Sequence, residues 1–253
     1  GSGRDVTERR ETKERLQKYY DRLKTDLSVA TAMQQSLLPA QKDISRIGGD
    51  YGLDIATFAA TSAEIGGDVW GLQKLDDTHL GLYVADLSGH GVASAINAFR
   101  LHTVLSEHRP TPGQLPEFMT QLNSAMCTAL PTGQFSAFLY AIIDLEEDKL
   151  TYVPCFCPDP VTGAQGSGSY TTLTGAGRPL GITEDCEMEQ VTVDFPRGSF
   201  LFIYSDALIE ARMSNGARLP DDWLDHHLPD AVAGETAQTS LDGITRAFDR
   251  DAP

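Results

Sequence analysis

Two strand-length runs separated by a pair of acids constrain this chain more than any other feature. VWGLQKL (69–75) and HLGLYVADL (79–87) alternate or run apolar, with Asp76-Asp77 as the turn between them. The pattern recurs in FSAFLYAIIDL (135–145) and KLTYVPCF (149–156), joined by Glu146-Glu147-Asp148. Links this short permit only antiparallel neighbours, because a parallel pair needs a crossover of a dozen or more residues. DIATFAA (54–60) reads as an earlier strand, and 92–108 and 115–130 read as helices between the hairpins. After a Gly-Ser loop around GAQGSGS come three more strand candidates, YTTLT (170–174), MEQVTVDF (188–195) and SFLFIYSD (199–206). Shorter helices start near Asp221 and Ser240. Strands outnumber helices and hairpins outnumber crossovers, so the pattern predicts an α+β fold of antiparallel sheets layered with helices.

The N-terminal segment is of a different kind. From Glu11 to Leu38 there is no proline or glycine, and Leu16, Tyr20, Leu23, Leu27, Ala30 and Leu37 form a heptad seam flanked by charge. Pro39 ends the helix. The seam needs a cover, and two are open: its own domain, or a second copy in a parallel coil. The opening Gly-Ser-Gly reads as a cloning scar. The expected division is therefore residues 1–3 as scar, 4–39 as a helical linker and switch element, and 40–253 as the main domain.

Composition excludes several functions. With 41% hydrophobic residues in 253, the chain can build a core without staples. No apolar run approaches the length of a membrane span, and GSGRDVTERR lacks the apolar segment of a signal peptide, so a cytoplasmic location is expected. A formal charge of -16 disfavours nucleic acid and anionic lipid as partners. Of Cys127, Cys155, Cys157 and Cys186 only one pair is close in sequence, which is poor zinc evidence.

Three aspartates carry the chemical signal. Asp68 follows Gly66-Gly67 at the start of one strand, Asp86 ends the next, and Asp206 ends the apolar run SFLFIYSD. Any one alone reads as a turn or helix cap. Together, at the edge of a layered sheet, they form an acid cluster that calls for a cation, and carboxylate, carbonyl and water ligands select magnesium or manganese. His90, between Gly89 and Gly91, reads equally as a local backbone partner or a proton donor.

These segments resemble the metal-dependent protein phosphatases of the 2C type, in the bacterial SpoIIE/RsbU-like branch. The resemblance rests on QQSLLP (34–39), EIGGD (64–68), VADLSGHGVASA (84–95), PLGI (179–182) and FIYSDALIEA (202–211), in the family's order. It implies an α/β/β/α sandwich of two antiparallel sheets flanked by helices, with two manganese or magnesium ions at the sheet edge. By motif position the catalytic metal ligands would be Asp68, Asp86, the carbonyl of Leu87, and Asp206. The implied reaction is hydrolysis of a phosphoserine or phosphothreonine on a STAS-type anti-anti-sigma protein. An upstream sensor or receiver domain would act through the N-terminal helix, with a homodimer formed by residues 11–38.

The chain departs from the family pattern at four places. A second acid commonly stands three residues after the Gly-Gly-Asp aspartate, where this chain has Gly71. The usual Ala-Gly-His-Pro is CFCP (155–158), and Ala207 replaces a glycine. The final Asp-Asp motif has no counterpart: Asp249 and Asp251 are followed by no apolar strand, and the role is not carried to them. Two further readings therefore stand beside the phosphatase: a degenerate adaptor with the same fold, and a dimeric signalling module centred on the coil.

Overall fold

A computed structural model describes residues 2–59, 66–89 and 91–252, with the side chains of Leu23 and Leu27 in the seam outside the described set. Helix α1 (Ser2–Gln35) runs ahead of the domain and closes in a turn before Pro39. Leu37 and Leu38, in that turn, pack into the domain core, whereas Leu16 and Tyr20 are 69% and 63% exposed. The end of the segment is thus held by its own domain, and the described early part of the seam is not.

Helix α2 (Gln41–Tyr51) follows at once, in a stretch where the sequence pattern predicted nothing. It buries Ile44, Gly48 and Tyr51, spaced four and three along one face. Gly52 ends it at φ 65°, a left-handed conformation that glycine adopts without a Cβ penalty. The Tyr51 hydroxyl donates to the carbonyl of Asp76, tying α2 to the first hairpin. DIATFAA forms no strand: 54–59 are irregular, and Ala60 lies outside the described residues.

Strands β1 (Val69–Lys74) and β2 (His79–Leu87) form the expected hairpin. Its acidic turn has a structural role, because the Asp76 carboxylate accepts from the backbone N–H of Thr78 and of His79, both at 2.8 Å. Those bonds favour the ionised form and hold the Asp76 carboxyl down at about 2. Helices α3 (Val92–Glu107) and α4 (Leu115–Ala129) lead to the second hairpin, β3 (Ser136–Asp144) and β4 (Lys149–Cys155). There Asp144 caps the turn through the N–H groups of Glu146 and Glu147.

The rest of the chain builds a second sheet and adds one strand, β7, to the edge of the first. Strand β5 (Val161–Ala164), unrecognised inside its Gly-Ser surroundings, pairs with β6 (Thr171–Thr172). YTTLT and MEQVTVDF shrink to β6 and β7 (Val191–Asp194), and SFLFIYSD pairs only over β8 (Ser199–Phe202). Helices α5 (Asp206–Glu210), α6 (Trp223–Val232) and α7 (Ala237–Asp251) complete it, with Thr236 capping α7. The five-stranded sheet has order β1-β2-β3-β4-β7, and the three-stranded sheet has order β6-β5-β8; all pairs are antiparallel.

Three apolar clusters follow from strand alternation. On one face of the larger sheet, Tyr83, Phe138 and Tyr140 pack with Leu101, Leu105 and Met119 of α3 and α4. On the other, Leu139, Ala141 and Tyr152 meet Leu201 and Ile203 from the smaller sheet's side. A third cluster joins Val161, Phe200 and Phe202 to Trp223, Leu228 and Ile244 of α6 and α7. β3 is buried along nearly its whole length because both its faces are covered, which explains its continuous apolar run.

Candidate active site

The first hairpin's register explains why the chain has acids where it does. Val69 pairs with Ala85, and the Leu87 N–H bonds to the Gly67 carbonyl at 3.4 Å, so the ladder continues outward past the named strand end. Asp68 therefore stands directly opposite Asp86. The Asp86 carboxyl thus faces a second carboxyl across the ladder, in a group of acids that includes Asp206 and Glu210. Burial pushes the Asp86 carboxyl up, and the bond to Asp68 and the charges of Asp68, Asp206 and Glu210 push it further. Like charges directly opposite across a strand pair are destabilising, so folding alone gives no reason to place them there.

Gly67 sets the closeness of this pair. A Cβ at that position would lie 2.9 Å from the Leu87 nitrogen and nearer still to its carbonyl oxygen. The backbone of Leu87, with its buried side chain, is held against the Gly66-Gly67 turn by this absence. Asp206 arrives from the other sheet: after β8 the chain runs through 203–205 and Asp206 opens α5, with its carboxyl raised by burial and then by the charges of Asp68 and Glu210. Glu210, four residues on along the same short helix, is a member of the acid group that strand-end reasoning missed. Its signal was the i, i+4 spacing from Asp206. Its own charge is partnered by Arg218 at 2.7 Å.

The oxygen donors fit a hard divalent cation by type, and the Asp68–Asp86 pair fits it by position. The arrangement is not closed: among the described residues, no three His, Cys, Asp or Glu side chains stand together as a ready metal cage. The departures from the family pattern have physical form here. Gly71 lies under the Tyr83 ring, where a Cβ would sit 2.5 Å from ring atoms, so an acid cannot be accommodated with Tyr83 in place. Phe156 of CFCP takes a left-handed φ of 61° and projects into solvent, edge-on to Phe135, whose backbone bonds Ser88 in both directions. Ala207 is exposed on α5. Asp251 is engaged elsewhere, by Arg250 and by the Trp223 indole at 3.0 Å. His90, Glu64 and Ile65 lie outside the described residues.

Comparison with known proteins gives the chain's relatives. The family model for stage II sporulation protein E (SpoIIE) matches residues 76–252. The chain is 25% identical over 167 residues to the phosphoserine phosphatase RsbP of Bacillus subtilis, and 21% identical over 194 residues to the phosphoserine phosphatase RsbU of the same organism. These alignments take in 64% and 77% of the chain but only 41% and 56% of those proteins, so the chain spans about half the length of the curated relatives it matches. The SiaA-PP2C domain of Pseudomonas aeruginosa superposes with a TM-score of 0.76 at 16% identity, covering 91% of each chain. The RsbU and RsbW domains of Rv1364c from Mycobacterium tuberculosis give 0.61 at 18% identity over 77% of this chain and 53% of that one. With a family model covering well over half its residues, an antiparallel two-sheet fold and the acid pair at its edge, this chain belongs to the SpoIIE family of PP2C-type phosphatases.

Proposed function

We propose that the chain is a metal-dependent phosphoserine/phosphothreonine phosphatase domain acting on a phosphorylated STAS-domain protein in bacterial sigma-factor signalling. The observation that carries this reading is the carboxyl pair of Asp68 and Asp86, opposed by strand register at the sheet edge, with Asp206 and Glu210 close enough to raise the cost of charging Asp86. Asp68, Asp86, the Leu87 carbonyl and Asp206 would hold two magnesium or manganese ions. When bound, such ions supply Lewis-acid stabilisation of phosphoryl oxygens and acidify water. The chain's own contribution is placement: β1 and β2 fix two carboxylates face to face, and α5 brings the third from the second sheet. The three clusters read as an α/β/β/α sandwich that makes this edge rigid. Support for the substrate class comes from the relatives named as phosphoserine phosphatases, and from a TM-score of 0.52 to a chain solved in work on the bacterial stressosome.

The test is release of inorganic phosphate from a phosphoserine-bearing STAS-domain protein, assayed with magnesium and manganese in turn. Turnover that requires either metal and stops with a chelator is expected; no release with either metal overturns the reading. A second reading, an adaptor that binds its partner without catalysis, is favoured by one specific observation, the filled position at Gly71. It predicts the null assay together with partner binding that survives Asp86→Ala.

The helical segment before residue 40 is proposed as the regulatory linker, with residues 40–253 as the phosphatase domain and a cytoplasmic location. Among the described residues no helix is long and apolar enough to cross a membrane. Leu16, Tyr19, Tyr20, Val29 and Met33 are all more than half exposed along α1, an apolar surface that a parallel second copy would bury. Sedimentation should give a dimer that becomes a monomer when residues 1–40 are removed. A monomer in both forms would eliminate the pairing.

A further inference from the structure

The row of residues that carries Asp68 and Asp86 does not stop at the acids. Asp86 pairs with Ala137 of β3, and one step past the Phe138–Cys155 pair brings Phe156 level with Ala137. Residues directly opposite one another share a face of the sheet, so Asp68, Asp86 and Ala137 point the same way. Ala137 is the one partly exposed residue of β3 before Asp144, and its short side chain leaves the row open there. With neighbouring strands about 4.8 Å apart, the backbone of Phe156 stands about 10 Å from that of Asp86. The Phe156 side chain is 63% exposed, and its ring meets that of Phe135 edge-on with the centroids 6.2 Å apart. Phe135 is fixed in turn to the end of β2. Its N–H donates to the Ser88 hydroxyl and its carbonyl accepts from the Ser88 N–H, both at 2.8 Å.

The backbone explains the bend at Phe156 but not the ring. Cys155 packs in the cluster on the helix side of the larger sheet and Cys157 against the cluster between the sheets, although strand alternation would put both on one face. The left-handed φ of 61° at Phe156 makes that change of side. Glycine takes such a conformation freely, and a bulky residue takes it at a cost. Glycine is also what the family pattern has at this position. A ring held in an unfavourable conformation and left in solvent contributes little to folding, but it supplies an apolar wall at the open end of the acid row. On the phosphatase reading above, we infer that Phe156 is a specificity-determining residue: with Phe135 it receives a large apolar side chain of a phosphoserine peptide whose phosphate lies at the acids. An extended peptide advances about 3.3 Å per residue, so that side chain belongs about two or three positions from the phosphoserine.

The test is phosphate release by the whole chain from short synthetic phosphoserine peptides, for wild type, Phe156→Gly and Phe156→Asn. One peptide has alanine at every flanking position; the others carry a single phenylalanine two or three positions before or after the phosphoserine. Both replacements suit a left-handed φ, so both variants should melt within a few degrees of wild type or above it. Wild type should favour one phenylalanine peptide over the alanine peptide by about tenfold in kcat/KM, and the gain should appear in KM rather than kcat. In both variants that ratio should fall to about one. No preference in wild type, or a preference that survives in both variants, overturns the subsite. The phosphorylated STAS-domain protein, assayed alongside, separates the two levels. If neither it nor any peptide releases phosphate with magnesium or manganese, the phosphatase reading fails. If it does, and the peptides are uncleaved or all cleaved alike, only the subsite fails, because a wall this close to the acids must act on a short peptide.

Discussion

Asp86→Asn is expected to lower phosphate release by about a thousandfold or more and, in metal-free buffer, to raise the melting temperature rather than lower it. The two effects have one origin. Even a single preorganised stabilising group removed from an active site costs on the order of a hundredfold to a thousandfold, and Asp86 is proposed to touch the ions themselves. In the apo chain the same carboxylate is a liability, since it faces Asp68 across the ladder with Asp206 and Glu210 nearby. Opposed like charges cost up to about 1 kcal/mol, and for a chain of this size that is worth about 2–4 °C.

The pH dependence gives that prediction a sign. Asp86's folded-state pKa is raised above its ordinary value of 3.8, first by burial. The folded chain therefore keeps a proton that the unfolded chain has already released, and stability falls as pH rises from about 4 through the raised value. Asparagine has no proton to lose. The advantage of Asp86→Asn should be absent near pH 3, grow through the acid range and level off above the raised value. Melting curves without metal at pH 4 and pH 8 check this; a variant less stable at pH 8 than wild type would contradict the assignment of Asp86 as an electrostatically loaded site.

Much of this was legible in the residues, and the limits were physical. The hairpins could be read because Asp76 and Asp144 stand where a carboxylate can accept from the next backbone N–H groups. The pairing of Asp68 with Asp86 was also within reach, since both lie nine residues from Asp77 and the turn sets the register. What alternation could not supply was context. DIATFAA has strand composition, but its described residues, 54–59, find no ladder partner. Helix α2 hides behind Gly48 and Gly49, residues of low helix propensity, yet Gly48 is required because a Cβ there would collide with the Leu53 carbonyl. SFLFIYSD is apolar from Phe200 to Tyr204, but only four of its residues pair, and the last begins a helix. That helix is why Glu210 joined the acids unannounced.

Gly67→Ala is expected to damage both stability and catalysis, by a route that involves no change of charge. The new methyl would meet the nitrogen and carbonyl of Leu87, and neither can turn away as a side chain could. Either the end of the hairpin opens, breaking the Leu87 N–H bond to Gly67, or β2 shifts its edge. Overpacking of this kind costs about 1–3 kcal/mol, so melting should fall by about 2–10 °C. Whichever way the strain is relieved, Asp68 moves away from Asp86 and the Leu87 carbonyl is displaced, and misplacement of about 1 Å at a reacting centre costs on the order of a hundredfold in turnover. Gly49→Ala is the matched control. It lies in α2 with nothing within 4 Å of the added methyl, and alanine there should be neutral or stabilising by up to about 1 kcal/mol. If Gly67→Ala melts and turns over like Gly49→Ala, the ladder does not hold the two acids together, and Asp68 must reach its position by some means other than the register of the first hairpin.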